Sequence, residues 1–281
     1  MIINKKQMDE INAVQYDIFK AFHHVCMQLN LQYYLVHGSL LGALRYKGFF
    51  PMDDDIDVAM PRKDYEVFIR KGQETIDNKF FVQSYLSEKD YPLVFSKVRA
   101  NNTAFIQPVL KECDVHQGIY IDIFPIDNYP DNISYLRKIH LKGWLYGLRT
   151  CGKLSNNEKN ALRVKVIGLF SRILLPSWRH ARNKYCELYN NVSETGLIIV
   201  RGGKRKEVGI SSSYFGRPTQ IQFGDMNSFA PERLEDYLQL IYGDYMNYEP
   251  MGKDMVDDNR VRISAEIIDV KKSYKEYLDR K

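Results

Sequence analysis

Apolar residues recur at helical spacing near the start of the chain. Between residues 8 and 29 they stand three or four positions apart, at Ile11, Val14, Ile18, Phe22, Val25 and Leu29. This spacing places them on one face of an α-helix. The pattern therefore predicts an amphipathic helix over Met8–Leu29.

The apolar runs then become shorter and are separated by turns. Tyr33–Val36 predicts a strand, and Ser39–Arg45 predicts a helix with Ser39 as its N-cap. Alternating positions over Asp55–Met60 predict a second strand, which a proline ends. Another helix is expected over Arg62–Ile76.

Short strand-like segments follow this helix. They are Phe80–Tyr85, Leu93–Val98, Thr103–Ile106 and Gly118–Phe124. A strand–helix–strand order followed by more strands predicts an α+β fold, with a small mixed β-sheet flanked by helices.

After Pro130 the pattern becomes helical. Pro231–Tyr248 and the segment from Val261 onward also predict helices. We therefore expect two regions: a core with its N-terminal helix over residues 1–130, and a mainly helical region over 131–281 that packs on the core.

Composition narrows the class of protein. The chain has 281 residues, of which 44% are hydrophobic and 27% charged, as in ordinary globular domains. The four cysteines form no C-x-x-C pair, so neither a zinc knuckle nor a disulfide framework is expected.

The start of the chain predicts no secretory signal, since Met1–Gln7 has no apolar core. No apolar run reaches the roughly 20 residues of a membrane span. We expect a cytoplasmic protein, or one attached to the inner face of the membrane from outside the bilayer.

Charge is strongly segregated along the chain. Residues 137–184 carry 12 Lys and Arg and a single acid, Glu158, whereas the whole chain has a net charge of only +5. Such a segment attracts phosphates, anionic lipid headgroups or nucleic acid, although a solvated basic surface gives the same pattern. We favour a peripheral membrane contact, with aromatic anchors at Trp144, Tyr146, Phe170 and Trp178. No nucleic-acid-binding signature accompanies the charge.

Two acids mark the predicted second strand. Asp55 and Asp57 stand two positions apart, so a strand presents both carboxylates on one face while Ile56 and Val58 enter the core. Paired carboxylates resist ionisation unless a cation joins them. Hard oxygen ligands on a rigid element suit Mg²⁺ or Mn²⁺.

A glycine–serine turn precedes these acids. Gly38 allows close approach to the backbone, and Ser39 adds a hydroxyl beside the free N–H groups of a helix start, which together suit a phosphate. Arg45 and Lys47 could add positive charge, or could be exposed charges at the helix end. His37 beside the turn fits a structural or a site role.

A third carboxylate is expected on a neighbouring strand. Asp122 stands between Ile121 and Ile123, where an unpaired charge is costly. It could complete the metal site or take the proton from an attacking hydroxyl.

These motifs resemble a known family. The string from Gly38 to Asp57, Gly-Ser-Leu-Leu-Gly-Ala-Leu-Arg through Phe-Phe-Pro-Met-Asp-Asp-Asp-Ile-Asp, resembles the LicD family of phosphotransferases, within the nucleotidyltransferase superfamily and related to fukutin-related proteins. The segments Phe95–Thr103, Gly118–Asp127 and Tyr242–Met246 resemble later blocks of that family.

The resemblance implies a nucleotidyltransferase-like catalytic core and a transferase for substituted phosphate groups. Such enzymes move a phospho-alcohol, phosphocholine above all, from a CDP-alcohol donor such as CDP-choline to a sugar hydroxyl of a glycan or lipid-linked glycan acceptor. The acceptor would be a precursor of teichoic acid, capsule or lipopolysaccharide. By motif match, Asp55, Asp57 and Asp122 would be catalytic metal ligands, Asp53 would join through a water, and Lys97 would contact a phosphate unless it is a surface lysine.

Two other functions stay open. A nucleotidyltransferase would use the same site to attack an NTP and release pyrophosphate. A membrane- or polyanion-binding protein without activity would use only the basic segment, although all three carboxylates being present argues against it.

Overall fold

The computed structural model describes residues 1–51, 53–108, 110–111, 113–154, 177–190, 192–201, 208–249, 255–257 and 260–278. Within them lie seven helices: α1 (Lys5–Gln28), α2 (His37–Tyr46), α3 (Arg62–Thr75), α4 (Ile133–Leu154), α5 (Trp178–Asn190), α6 (Leu234–Tyr242) and α7 (Lys275–Leu278). Phe170, one of the predicted aromatic anchors, lies outside the described residues.

Strands of the first half are β1 (Ile2–Asn4), β2 (Tyr34–Leu35), β3 (Asp57–Pro61), β4 (Phe80–Gln83), β5 (Ser96–Ala100), β6 (Ala104–Ile106) and β7 (Tyr120–Asn128). Those of the second half are β8 (Leu197–Val200), β9 (Ile210–Ser211), β10 (Thr219–Phe223), β11 (Met226–Ala230), β12 (Met255–Asp257), β13 (Arg260–Arg262) and β14 (Ile267–Asp269). The α+β prediction is confirmed.

A mixed sheet organises the molecule around β7. Its strand order is β2-β3-β7-β5-β4, and β8 and β9 extend it from β7. The long strand β7 pairs in parallel with β3 on one edge, and antiparallel with β5 and then β8 on the other. Because β3 and β7 are parallel, equivalent positions of the two strands lie side by side over five residue pairs.

Two helices cover the sheet. In α1 the predicted apolar stripe is confirmed: Ile11, Ile18 and Phe22 are fully buried. The ring of Phe22 meets that of Phe68 from α3, with ring centroids 5.1 Å apart. Both helices contact β7, so their apolar side chains cover part of the central strand.

Beyond Asn190 the described residues are richer in strands than the sequence indicated. In place of the helix expected over 231–248, α6 is only nine residues long. It ends before Gly243, which has a φ of +67°. The prediction of a helix from Val261 onward is wrong. There β13 pairs with β1, β14 pairs with β6, and only the four-residue α7 is helical. These pairings join distant segments, so local periodicity does not reveal them.

No helix within the described residues is long and apolar enough to cross a membrane.

A buried ion network fixes the far end of β7. Asp127 accepts hydrogen bonds from Arg62 Nε and Nη2, both at 2.6 Å, and from Arg201 Nη1 at 3.3 Å. Arg201 is wholly buried between the rings of Tyr185 and Tyr189, at 4.7 and 4.2 Å from their centroids. The network ties α3 and the end of β8 to the central strand.

Asp127→Asn should destabilise the fold by about 3–5 kcal/mol, because it leaves two arginines without their buried counter-charge. Urea unfolding followed by circular dichroism measures this. Asp17→Asn, which removes an exposed partner of Lys20, is the matched control and should change the free energy of unfolding by less than about 1 kcal/mol. Equal effects of the two variants would contradict a structural role for the network.

Candidate active site

Three charged side chains form a row across the sheet. Asp57 on β3 lies opposite Asp122 on β7, and Asp122 lies opposite Lys97 on β5. Register partners on neighbouring strands project from the same face of a sheet. Asp122 therefore stands between Asp57 on one side and Lys97 on the other.

Asp55 joins the two acids of this row. Carboxylate oxygens of Asp55, Asp57 and Asp122 lie within 4.8 Å of one another. Strand β3 begins at Asp57, so Asp55 lies just before the strand rather than within it. Ile56 and Val58 are wholly buried, as predicted, and the Asp122 N–H donates to the Ile56 carbonyl at 2.8 Å. The apolar residues thus hold the acids in place.

Lys97 is buried rather than at the surface. Its ammonium donates to Asp122 Oδ1 and lies 3.3 Å from the ring centroid of Tyr120. Burial lowers the pKa of Lys97, and the charge of Asp122 opposes that shift. Because the register places Lys97 beyond Asp122, it does not separate Asp122 from Asp57.

The acids disfavour one another's ionisation. Burial, and then the neighbouring carboxylates, raise the pKa of Asp55 and the pKa of Asp57 well above the usual range, while Lys97 partly offsets this for Asp57. Burial and the charge of Asp54 raise the pKa of Asp53 to about 7. The described site is therefore short of positive charge.

The glycine–serine turn lies against these acids, but its roles differ from those predicted. Helix α2 begins at His37, which has a left-handed φ of +50°, so the prediction of Ser39 as N-cap is wrong. The Ser39 hydroxyl instead accepts the Asp57 N–H at 2.8 Å and fixes the start of β3. A Cβ on Gly38 would lie 2.4 Å from Asp53 Oδ2, so a side chain at this position would displace the Asp53 carboxylate.

Arg45 and Lys47 lie at the opposite end of α2. The seven residues from Gly38 to Arg45 correspond to about 10 Å along the axis. Arg45 Nη1 donates to the Tyr248 carbonyl at 2.6 Å, and Lys47 is the exposed residue that follows the helix. The structure thus groups Gly38 and Ser39 with the acids and places the two cations apart from them; their substrate roles stay predictions.

Several side chains at the site were not predicted from the sequence. Tyr237 and Tyr242 on α6 lie within electrostatic reach of the acids. Burial, then Tyr242 and then Asp57 raise the pKa of Tyr237, and burial, Asp53 and then Asp57 raise the pKa of Tyr242. Tyrosines in a late helix have no local feature that relates them to a site 180 residues earlier.

Gln15 of α1 was missed as well. It is wholly buried, and its side-chain amide donates to the carbonyls of Asp54 at 2.7 Å and Tyr120 at 3.3 Å. Its place in the helical stripe made it look like one more inward-facing position.

The donor set fits a divalent cation. Three carboxylates within reach of one ion match the oxygen ligands of Mg²⁺ or Mn²⁺, and burial and then the neighbouring carboxylates raise the pKa of Asp55 and the pKa of Asp57. A second group, Asp53, Asp54 and Asp55, also has carboxylate oxygens within 4.8 Å of one another. Asp55 belongs to both groups.

Comparison with known proteins agrees with the motifs. Residues 30–145 match the family model described as LicD/FKTN/FKRP, nucleotidyltransferase domain. The chain is 25% identical over 256 residues to the lipopolysaccharide cholinephosphotransferase LicD of Haemophilus influenzae, covering 88% of this chain and 94% of that protein. It is also 25% identical over 133 residues to an uncharacterized protein of Rickettsia prowazekii, covering 47% of this chain and 46% of that protein. The chain thus carries a LicD family domain, which confirms the resemblance.

Asp55→Asn should stabilise the protein in the presence of a chelator. Because the raised folded pKa values make the folded state bind more protons than the unfolded chain, stability should fall as pH rises from about 4 to 8. Removing the Asp55 charge should recover about 1–3 kcal/mol at pH 8 and flatten this dependence. Urea unfolding at several pH values measures both. A variant less stable than the parent at pH 8 would show that repulsion does not govern the site.

Proposed function

We propose that this protein is a metal-dependent transferase that moves phosphocholine from CDP-choline to a sugar hydroxyl of a cell-surface glycan precursor. The observation that carries the proposal is the convergence of Asp55, Asp57 and Asp122 beside the Gly38–Ser39 turn. The similarity to a lipopolysaccharide cholinephosphotransferase over most of both chains favours phosphocholine as the group transferred.

Asp55, Asp57 and Asp122 would hold Mg²⁺ or Mn²⁺, with Asp53 joining through a water. When bound, the ion would neutralise charge on the donor phosphates and on the phosphorus under attack. The acids themselves are held by paired backbone and a buried core, so little reorganisation is needed when a donor binds.

The turn at Gly38 would receive a donor phosphate. Backbone N–H groups at the start of α2 offer hydrogen bonds to an anion, and the absence of a side chain at Gly38 leaves the backbone open to close approach. The Asp53 carboxylate lies at this position, so it must move away or bind the metal when a phosphate enters. Arg45 and Lys47 would act on more distant parts of the donor.

Asp122 would serve either as a ligand or as the base that takes the proton from the sugar hydroxyl. Its hydrogen bond from Lys97 orients the carboxyl group within the site. The ammonium also supplies positive charge within the site, which fits the phosphate contact proposed for Lys97. In the reaction, the sugar oxygen forms a bond to the phosphorus that carries choline, and CMP leaves with the electrons of the broken bond.

The acceptor would be a glycan, either free or carried on a lipid. A lipid-carried acceptor would bring the protein to the inner face of the cell membrane.

Asp57→Asn should lower CMP release from CDP-choline by about 10³-fold or more, since it removes a ligand at the centre of the site. Chromatography of the nucleotide products measures this, with Mg²⁺ or Mn²⁺ and a glycan extract as acceptor. Asp17→Asn removes an exposed carboxylate of α1 and should retain full turnover.

Three results would contradict the proposal. Undiminished CMP release by Asp57→Asn would show that the acids take no part in the reaction. Release of pyrophosphate from an NTP, without CMP from CDP-choline, would favour a nucleotidyltransferase. Stronger thermal stabilisation by CDP-ribitol, CDP-glycerol or CDP-ethanolamine than by CDP-choline would indicate that the transferred alcohol is not choline.

Mn²⁺ should bind the protein stoichiometrically and raise its melting temperature, most strongly at pH 8, where protons compete least. Calorimetric titration of the parent and of Asp122→Asn checks this, and the variant should bind at least tenfold more weakly. Equal affinities would exclude Asp122 as a ligand.

A further inference from the structure

An apolar face of helix α4 is exposed in the part of the chain that the structure describes. Ile133 is 67% exposed, Leu141 55% and Trp144 42%. At 100° per residue these three positions lie within about 80° of one another around the helix, with Arg137 between them. The exposed apolar residues thus form one stripe rather than scattered contacts.

The orientation of α4 is fixed by its opposite face. Ile139 and Tyr146 are buried, and the Tyr146 hydroxyl donates to the Pro92 carbonyl. A Cβ on Gly143 would lie 3.0 Å from the ring of Tyr185 on α5, so the two helices pack closely there. The stripe therefore faces outward in the folded protein, and Tyr146 is not the surface anchor that the sequence indicated.

Charge accompanies the stripe. The 22 residues of α4 contain five Lys and Arg and no Asp or Glu. Arg137, Lys138 and Lys142 are exposed; around the helix, Arg137 lies within the apolar stripe and Lys138 lies about 60° beyond Leu141. A helix with an apolar stripe bordered by cations is the pattern of helices that lie in the interface of an anionic bilayer.

We infer that the α4 face formed by Ile133, Leu141 and Trp144, with its bordering cations, docks on an anionic phospholipid bilayer. The cations meet lipid phosphates, and the apolar side chains enter the headgroup–acyl boundary. Nucleic acid would pair with the cations but leave Ile133 and Leu141 without an apolar environment. The docking does not depend on the proposed function, although it would place a lipid-carried acceptor beside the enzyme.

Co-sedimentation with vesicles tests the docking. The full chain should bind vesicles of 30% phosphatidylglycerol in phosphatidylcholine and bind pure phosphatidylcholine at least tenfold more weakly. Leu141→Gln with Trp144→Gln should weaken binding about tenfold or more. Arg137→Gln with Lys138→Gln should weaken it by about fivefold for each charge at low salt.

Matched controls separate the stripe from general effects. Met27→Gln changes a similarly exposed apolar residue of α1, and Lys5→Gln with Lys6→Gln removes two exposed cations elsewhere. These variants should bind vesicles as the parent does. In a Trp178→Phe background, the emission of Trp144 should shift to shorter wavelength with anionic vesicles.

Unchanged vesicle binding by the Leu141/Trp144 variant, no vesicle binding by the parent, or tighter binding to an RNA duplex than to anionic vesicles would overturn the inference. CMP release from CDP-choline without vesicles should be unchanged in the Leu141/Trp144 variant. If no CMP is released by any protein, the proposed function fails while vesicle binding still reports on α4.

Discussion

The parallel register of β3 on β7 is the constraint on which the site depends. It places Asp57 beside Asp122, and the short step back to Asp55 adds a third carboxylate. Their repulsion would drive the acids apart if they lay on a loop. Here Ile56 and Val58 are buried on the other side of the backbone, so separating the acids would require opening the core. Apolar packing thus sustains an arrangement that electrostatics opposes.

The two ends of β7 differ in their balance of charge. Near its start, Asp55, Asp57 and Asp122 face one buried cation, Lys97, so negative charge exceeds positive. Near its end, Arg62 and Arg201 pair with Asp127, and Arg62 also pairs with Glu66, so two cations face two carboxylates. Among the described residues, an added cation would therefore offset charge at the first end rather than at the second.

Sequence reasoning reached the acids because their signal is local. Two-residue spacing on a strand and isoleucines around Asp122 determine burial and direction without knowledge of the fold. The burial of Lys97 could not be seen, because it depends on β5 pairing with the middle of a sheet rather than its edge. Tyr237 and the pairing of β13 with β1 depend equally on distant segments. Local periodicity therefore found most strands of the first half but misread the end of the chain.

The cations of α4 and the acids beside β7 can keep separate roles only if the cations do not neutralise the acids. The interaction between exposed charges falls off over the Debye length, which is about 8 Å at physiological ionic strength. The cations of α4 are exposed and so are screened, whereas Lys97 is buried and acts on Asp122 with little screening. A basic surface on α4 can therefore face an anionic lipid surface without neutralising Asp55, Asp57 and Asp122.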